Sequence, residues 1–219
     1  MLLVAVSDIH GDLAKLEKFK QFLAEQNIQP DALFVCGDLT HYGSYEDAVQ
    51  ILSSIKVISE RLFAVVGNAD RWEVAKALEE FNCSLNFRCT EFDGFRIAGA
   101  SGSAGDVGEV IFTEKELSNK LRALESCTPL EIFVSHSPPK NVLDYTANGT
   151  NIGSTAIREF IKKTKPKLHI FGHVHESTGS KVIENVMCVN VAAIKEGRFA
   201  LIELDENANV LAIKFLEFG

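Results

Sequence analysis

The segment Leu168-His169-Ile170-Phe171-Gly172-His173-Val174-His175 places two histidines directly after a short apolar run. The run is typical of a buried strand, and side chains two residues apart in an extended or tightly turned backbone can point to the same side. Two imidazoles on one side form a metal-ligand pair, because neutral imidazole is the commonest protein ligand for borderline metals. Since one pair cannot hold a metal alone, the rest of the chain must supply partners.

Four earlier apolar runs also end in polar residues of metal-binding type. These runs cover residues 2–6, 32–36, 62–66 and 130–134. The residues that follow them are Asp8 and His10, then Asp38, then Asn68, and finally His136. Gly37, Gly67 and Gly172 each precede one of these candidate ligands, and glycine lets the backbone turn sharply or approach a bound group closely.

The spacing of these residues predicts one shared site. The carboxyl ends of parallel strands lie at the same edge of a sheet, where ligands bind. Two carboxylates, one amide and four imidazoles, without thiolate, suit Mn²⁺, Fe or Zn²⁺ better than Ca²⁺. This number of ligands is more than one ion with an open coordination position can use. It favours two ions about 3.5–4 Å apart, bridged by a carboxylate.

The pattern of apolar residues predicts an α/β fold. Helical spacing covers residues 13–26, with Asp12 as N-cap, and residues 44–59, 71–80, 114–126 and 154–163. Asp93-Gly94 is a hairpin signal, and residues 178–215 are rich in strands. No linker interrupts the chain. We therefore expect one domain over residues 1–219, with two sheets packed together and helices outside.

Composition and charge exclude several classes of protein. Hydrophobic residues make up 46% and charged residues 24% of the 219 residues, as in globular proteins. The net charge of −8 argues against a general nucleic-acid binder. No window is apolar enough for a membrane span. The five cysteines form no CxxC pair, so we expect reduced thiols in a cytoplasmic protein.

Five motifs follow one another along the chain: Asp8-x-His10, Gly37-Asp38, Gly67-Asn68, His136 and Gly172-His173-x-His175. In this order they resemble the motifs of the calcineurin-like metallophosphoesterases. The resemblance implies a four-layer αββα sandwich of two mixed β-sheets flanked by helices. It also implies a dinuclear site that hydrolyses phosphodiesters or phosphomonoesters. The implied first-metal ligands are Asp8, His10 and His175, the second-metal ligands are Asn68, His136 and His173, and Asp38 bridges the ions.

The resemblance also implies catalytic roles. Asp38, Asn68 and His136 would act in catalysis, and Asn68 and His136 would orient the substrate. The expected cofactors are two divalent ions, Mn²⁺ first and Fe, Zn²⁺ or Ni²⁺ as alternatives. The expected substrate is a small-molecule or nucleotide phosphate ester, and the oligomeric state stays open.

One motif departs from the family pattern. The family often has a histidine after the asparagine, which assists the leaving group, whereas this chain has Gly67-Asn68-Ala69-Asp70. His41, four residues after Gly37, is a candidate substitute, as is a water. A positioned general acid raises the reaction rate by about 10²–10⁴. The loss of rate without one should therefore be smallest for substrates with good leaving groups.

Other interpretations remain open beside this one. Ala69 mildly favours a binding or scaffold member of the same fold with little catalysis, and a nuclease is a third possibility. We interpret His169 as structural and Asp70 as a cap of the following helix. The Gly- and Ser-rich residues 99–105 lack the order of a nucleotide-binding loop and are interpreted as a flexible loop near the site.

Overall fold

The apolar runs form the strands on which the fold is built. The computed structural model describes residues 1–191 and 193–219. Its strands are β1 (Leu2–Val6), β2 (Ala32–Cys36), β3 (Leu62–Val65), β4 (Cys89–Phe92), β5 (Phe95–Ala100), β6 (Ser103–Ala104), β7 (Ile111–Phe112), β8 (Ile132–Ser135), β9 (Leu168–Phe171), β10 (Gly179–Ile183), β11 (Val186–Asn190), β12 (Arg198–Leu204) and β13 (Val210–Glu217).

The helices follow the predicted segments closely. They are α1 (Leu13–Glu25), α2 (Tyr45–Lys56), α3 (Trp72–Glu80), α4 (Glu114–Arg122) and α5 (Thr155–Thr164). The side chain of Asp12 caps α1, as expected. The predicted helix over residues 114–126 stops at Arg122 and continues as a 3₁₀ turn (Ala123–Cys127), and Pro129 follows just beyond this turn.

In the described part of the chain, the strands form two large mixed sheets. The first has the strand order β13-β12-β1-β2-β3, in which β1, β2 and β3 are parallel. The second has the order β10-β11-β9-β8-β5-β4, in which β11, β9, β8 and β5 are parallel. The strands that precede the predicted ligands are therefore parallel neighbours within each sheet, and each sheet gathers their carboxyl ends at one edge.

The two sheets pack face to face, and helices cover their outer faces. Leu3 and Ala5 of β1 belong to the core between the sheets, whereas Val4 and Val6 belong to the core beneath the helices. Phe19 of α1 packs on Phe199 of β12, with 4.9 Å between ring centroids. Phe160 of α5 packs on Phe133 of β8 in the second sheet, at 4.7 Å. These layers confirm the predicted αββα sandwich.

A disulfide joins the edge strand β4 to the turn that follows α4. It links Cys89 to Cys127, so the prediction that all the cysteines are reduced is wrong. The partners are separated by 38 residues, and no short motif marks them as a pair. Cys36, Cys83 and Cys188 are free and buried, in agreement with the sequence interpretation. Among the described residues, no helix combines the length and apolarity that a membrane crossing requires.

The disulfide can be tested by counting thiols. Unfolded protein should show three free thiols without reductant and five after reduction. Because the bond closes a long loop, the exposed-site variant Cys89→Ser should lower the free energy of unfolding by about 3–4 kcal/mol. Chemical denaturation with and without reductant measures this loss. Five thiols before reduction would contradict the bond.

Candidate metal centre

Backbone hydrogen bonds join the loops that follow β1 and β2. The Asp8 N–H donates to the Gly37 carbonyl at 3.1 Å, and the His10 N–H donates to the Asp38 carbonyl at 3.0 Å. The loop after β9 joins them, since the His173 N–H donates to the Asp8 carboxylate at 3.1 Å. Three motifs that are far apart in the sequence are therefore held together by fixed backbone contacts.

Close packing explains two of the glycines before the candidate ligands. A Cβ atom at Gly67 would overlap the Asp38 carboxylate, and a Cβ atom at Gly172 would overlap the Ser7 hydroxyl. Neither position has room for a larger residue. Glycine is required at both positions because the loops approach each other closely, as the sequence predicts.

The backbone at the site is strained. Asp8, His10, Asp38 and His173 all have positive φ, between 51° and 74°. A non-glycine residue in the left-handed region is uncommon, and such residues persist where the surrounding structure holds them. The inter-loop hydrogen bonds provide that support and aim each side chain inward.

The first group of candidate ligands surrounds Asp8. The His175 Nε2 lies 3.1 Å from Asp8 Oδ1, and the His10 Nε2 lies 3.7 Å from the same oxygen. One ligand atom from each of these residues lies within 4.8 Å of the others, which is a geometry that could hold a metal ion. Asp8 is buried, whereas both histidines are half-buried.

Asp38 connects this group to a second one. Its Oδ2 lies 3.7 Å from His10 Nε2, and its Oδ1 lies 3.5 Å from His136 Nε2. The two oxygens of one carboxylate therefore face histidines of different groups. The Ala69 N–H donates to Oδ1 at 2.8 Å and fixes the orientation of Asp38. Asn68 adjoins His136, and the His173 ring lies 4.8 Å from the His136 ring, so all of the predicted ligands converge.

Burial and the neighbouring charges set the protonation of these groups. Burial raises the pKa of Asp38 to about 6, with help from Asp8. Burial opposes ionisation of Asp8, but His10 and His175 hold the pKa of Asp8 well below its usual range. Burial lowers the pKa of His173 to about 3, which keeps its imidazole neutral and leaves a lone pair for a ligand. Protons and metal ions compete for carboxylate and imidazole groups of this kind.

The donors and acceptors at the contact between His136 and Asn68 indicate whether this part of the site can hold a cation. His136 Nδ1 lies 2.8 Å from the Cys36 carbonyl, which can only accept, so Nδ1 carries the proton. Asn68 Nδ2 donates to the Val107 carbonyl at 3.2 Å, so the amide oxygen points the other way. That oxygen lies 2.8 Å from His136 Nε2. Burial opposes a charge on His136, but Asp38 and Asp8 raise its pKa, so a proton on Nε2 can donate to this oxygen. In the neutral state two acceptors face each other, and a cation would replace that proton.

Glu196 is a residue that sequence reasoning missed. It lies in a 3₁₀ turn (Ile194–Glu196), and its Oε1 is 3.2 Å from His175 Nδ1. A carboxylate on the far nitrogen of a ligating histidine fixes the ring and its tautomer, and leaves Nε2 free to bind metal. No local pattern marks Glu196 in the sequence, because the contact depends on how the chain returns after β11.

Asp70 has a different role from the one predicted. The N-cap of α3 is Arg71, which makes no capping side-chain bond. The buried Asp70 carboxylate instead accepts hydrogen bonds from the backbone N–H groups of Leu39, Thr40 and Gly67. It therefore joins the loops that carry Asp38 and Asn68, and the interpretation of Asp70 as a helix cap is wrong.

His41 lies beside the metal centre on one side. Its exposed ring packs edge-on against His10, with 5.4 Å between ring centroids. The two histidines line a small pocket of about 150 Å³ together with Thr40. The role of His41 in proton donation stays a prediction. His169, by contrast, is buried against Phe133 and Phe171, as expected of a structural residue.

A larger cleft opens on the other side of the centre. It has a volume of about 510 Å³, and Asn68 and His173 are among the residues that line it. Its walls come from residues 103–107 and from the loop after β8. The size is typical of a ligand-binding cleft.

A four-layer fold that brings carboxylate, amide and imidazole groups together at the ends of parallel strands defines the metallophosphoesterase class. The chain belongs to the calcineurin-like phosphoesterase family, whose pattern matches residues 1–177. The family implies divalent metal ions, and the groups around Asp8 and Asp38 are candidate ligands.

The chain is similar to several known proteins. An uncharacterized protein of Methanocaldococcus jannaschii is 29% identical over 198 residues, which are 87% of each chain. The crystal structure of TT1561 of Thermus thermophilus has a TM-score of 0.77 at 21% identity, covering 99% of this chain and 98% of that one. A structure described as a novel archaeal phosphodiesterase has a TM-score of 0.51 at 13% identity, with 99% of both chains covered. The two structural matches show a shared fold.

The contact of Glu196 with His175 predicts an effect on metal affinity. Glu196→Gln should weaken binding of Mn²⁺ at one site by about 10- to 100-fold, because the His175 ring loses its orienting carboxylate. Competition with a fluorescent chelator measures the change. Since Glu196 also pairs with Arg198, the matched control is Arg198→Met, which should keep the wild-type affinity. An equal loss in both variants would contradict the proposed action through His175.

Proposed function

We propose that the protein is a hydrolase of phosphate esters that acts with two divalent metal ions, Mn²⁺ first and Fe, Zn²⁺ or Ni²⁺ as alternatives. The observation that carries the proposal is Asp38, whose two carboxylate oxygens face His10 and His136 from opposite groups. A carboxylate in that position suits a bridge between two ions. Asp8, His10 and His175 would hold the first ion, and Asn68, His136 and His173 the second.

The bound ions would supply positive charge and an acidified water at neutral pH. The chain's own groups would position the substrate. Asn68 lines the cleft and contacts His136, and these two side chains would orient the oxygens of the phosphoryl group. No residue of the chain has to form a covalent bond to phosphorus.

The leaving group limits the range of substrates. Ala69 carries no proton donor, and both of its backbone polar groups are already bonded, to Asp38 and to the Tyr42 N–H. Proton delivery would therefore depend on His41 or on water. We infer a preference for esters whose leaving group departs without full protonation, which favours aryl and other activated diesters.

Metal dependence and the role of Asp38 are tested together. Bis(p-nitrophenyl) phosphate should be hydrolysed, EDTA should abolish the activity, and Mn²⁺ should restore it. Asp38→Asn should lower both metal content and kcat/KM by at least about 100-fold, because one acceptor of the bridge is lost. The matched control is Asp106→Asn, an exposed acid on the wall of the same cleft, which should keep its metal.

Two outcomes would count against the proposal. A fully loaded Asp38→Asn enzyme with wild-type activity would remove the bridging role. The second outcome is that clean, metal-loaded wild-type protein hydrolyses no monoester, diester, cyclic nucleotide or pyrophosphate. That result would favour the alternative, a binding or scaffold member of the family. Ala69 is the one feature that supports that alternative.

The role of His41 is tested with a series of aryl esters. If His41 donates the proton, His41→Ala should slow the ester of a poor leaving group such as phenol by about 100-fold and barely change the p-nitrophenyl ester. Plots of log kcat against leaving-group pKa for wild type and variant measure this difference. Parallel plots for the two enzymes would assign proton delivery to water.

We further propose that residues 1–219 act as one domain. The contact of Glu196 with His175 supports this proposal, because Glu196 lies beyond the residues that match the family pattern. Three expectations stay predictions: a small-molecule or nucleotide phosphate ester as substrate, no nucleic-acid partner, and a cytoplasmic location.

A further inference from the structure

The cleft beside Asn68 and His173 has a wall that holds a lysine in a fixed place. Lys140 follows the turn after β8, and its backbone N–H donates to the Ser154 carbonyl at 2.9 Å. Its own carbonyl accepts a hydrogen bond from Arg158 Nη1 at 3.0 Å. The position of this residue is therefore set on both sides of its Cα atom.

The loop that carries Lys140 is held by a buried acid. The Asp144 carboxylate accepts hydrogen bonds from Asn141 N–H at 2.9 Å, from Asn151 Nδ2 at 2.6 Å and from Gly153 N–H at 3.1 Å. These bonds close residues 140–153 into a compact loop. Asp144 is therefore committed to loop structure, and the cleft wall is built before any ligand enters.

The ammonium group of Lys140 has no charged partner within the described residues. Its Nζ contacts only the Asn151 carbonyl, at 3.4 Å, and no carboxylate there lies within 4.0 Å of it. A lysine that is half-buried in a cleft and lacks a counter-ion is suited to an anion from outside the protein.

The acids of the same cleft do not neutralise this lysine. Glu114 accepts hydrogen bonds from Ser154 Oγ and from the N–H groups of Thr155 and Ala156, so it caps the start of α5. Asp106 is exposed on the opposite loop, where solvent screens its charge. The cleft thus holds a lysine without an ion-pair partner among the described residues, in a chain whose net charge is −8.

Apolar side chains form another part of the wall. Ala104, Val107 and Ile152 line the cleft between the metal centre and the solvent, and Val107 is 75% exposed and Ile152 36% exposed. Exposed branched side chains at a cleft mouth offer a surface for a flat or apolar part of a ligand. The volume of about 510 Å³ accommodates more than a phosphoryl group alone.

We propose that Lys140 selects phosphate esters whose organic part carries a second phosphoryl group. In this assignment, which rests on the proposed function, the reacting phosphate lies at Asn68 and His173. The organic part packs on Val107 and Ile152, and the second phosphate pairs with Lys140. Lysine acts as a point charge, so a phosphoryl dianion gains more from it than a neutral group does.

A matched pair of chromogenic esters tests this assignment. The p-nitrophenyl ester of thymidine 5′-phosphate and the same ester with a 3′-phosphate have one leaving group and differ only in the second phosphate. Wild-type enzyme should prefer the 3′-phosphorylated ester by about tenfold in kcat/KM, mainly through KM, because the contact is remote from the reacting bond. Lys140→Met should abolish the preference, and Lys140→Arg should retain it.

A second lysine provides the control for net charge. Lys18→Met, on the exposed face of α1 and outside the cleft, should keep the preference for the 3′-phosphorylated ester. No preference in the wild-type enzyme, or a preference that survives in Lys140→Met, would overturn the assignment while leaving ester hydrolysis intact.

If neither ester is hydrolysed, the proposed diester activity fails separately. Equilibrium binding of thymidine 3′,5′-bisphosphate to the metal-loaded protein then decides: equal affinity of wild type and Lys140→Met overturns the assignment, and a tenfold loss supports it.

Discussion

The structure depends on the burial of carboxylate, amide and imidazole groups in one shared space. His136 Nε2 and the Asn68 amide oxygen lie 2.8 Å apart, and Asp8 and Asp38 point carboxylates into the same buried space. Buried acceptors without donors are unstable unless protons or cations neutralise them. The tight loops, the positive φ angles and the glycines without room for a side chain all serve to hold these groups in place. The proposed pair of cations explains why the fold accepts that strain.

Much of this arrangement could be predicted from the sequence. Apolar runs followed by a ligand residue identify β1, β2, β3, β8 and β9, because a strand buried on both faces leaves a continuous hydrophobic signal. The parallel order of such strands places their ends together without any knowledge of the loops. The resemblance of the motifs to those of the calcineurin-like metallophosphoesterases implies the four layers and the meeting of Asp8, Asp38 and His136 across the two sheets.

What could not be predicted depends on contacts between distant segments. Glu196 reaches His175 only because the chain returns after β11, and Cys89 meets Cys127 only because β4 lies beside the turn after α4. Asp70 looks like a cap in the sequence, yet its carboxylate faces the backbone of another loop. The wall of the cleft at Lys140 likewise depends on a loop closed by Asp144, and such side-chain closure leaves no periodic signal.

The central claim is that two cations occupy the space around Asp38. A crystal grown with Mn²⁺ and measured at the manganese absorption edge tests it most directly. The account predicts two anomalous peaks about 3.5–4 Å apart, with the Asp38 carboxylate between them and His10 and His136 on opposite sides. A single peak away from Asp38, or no peak in protein that binds manganese in solution, would contradict it.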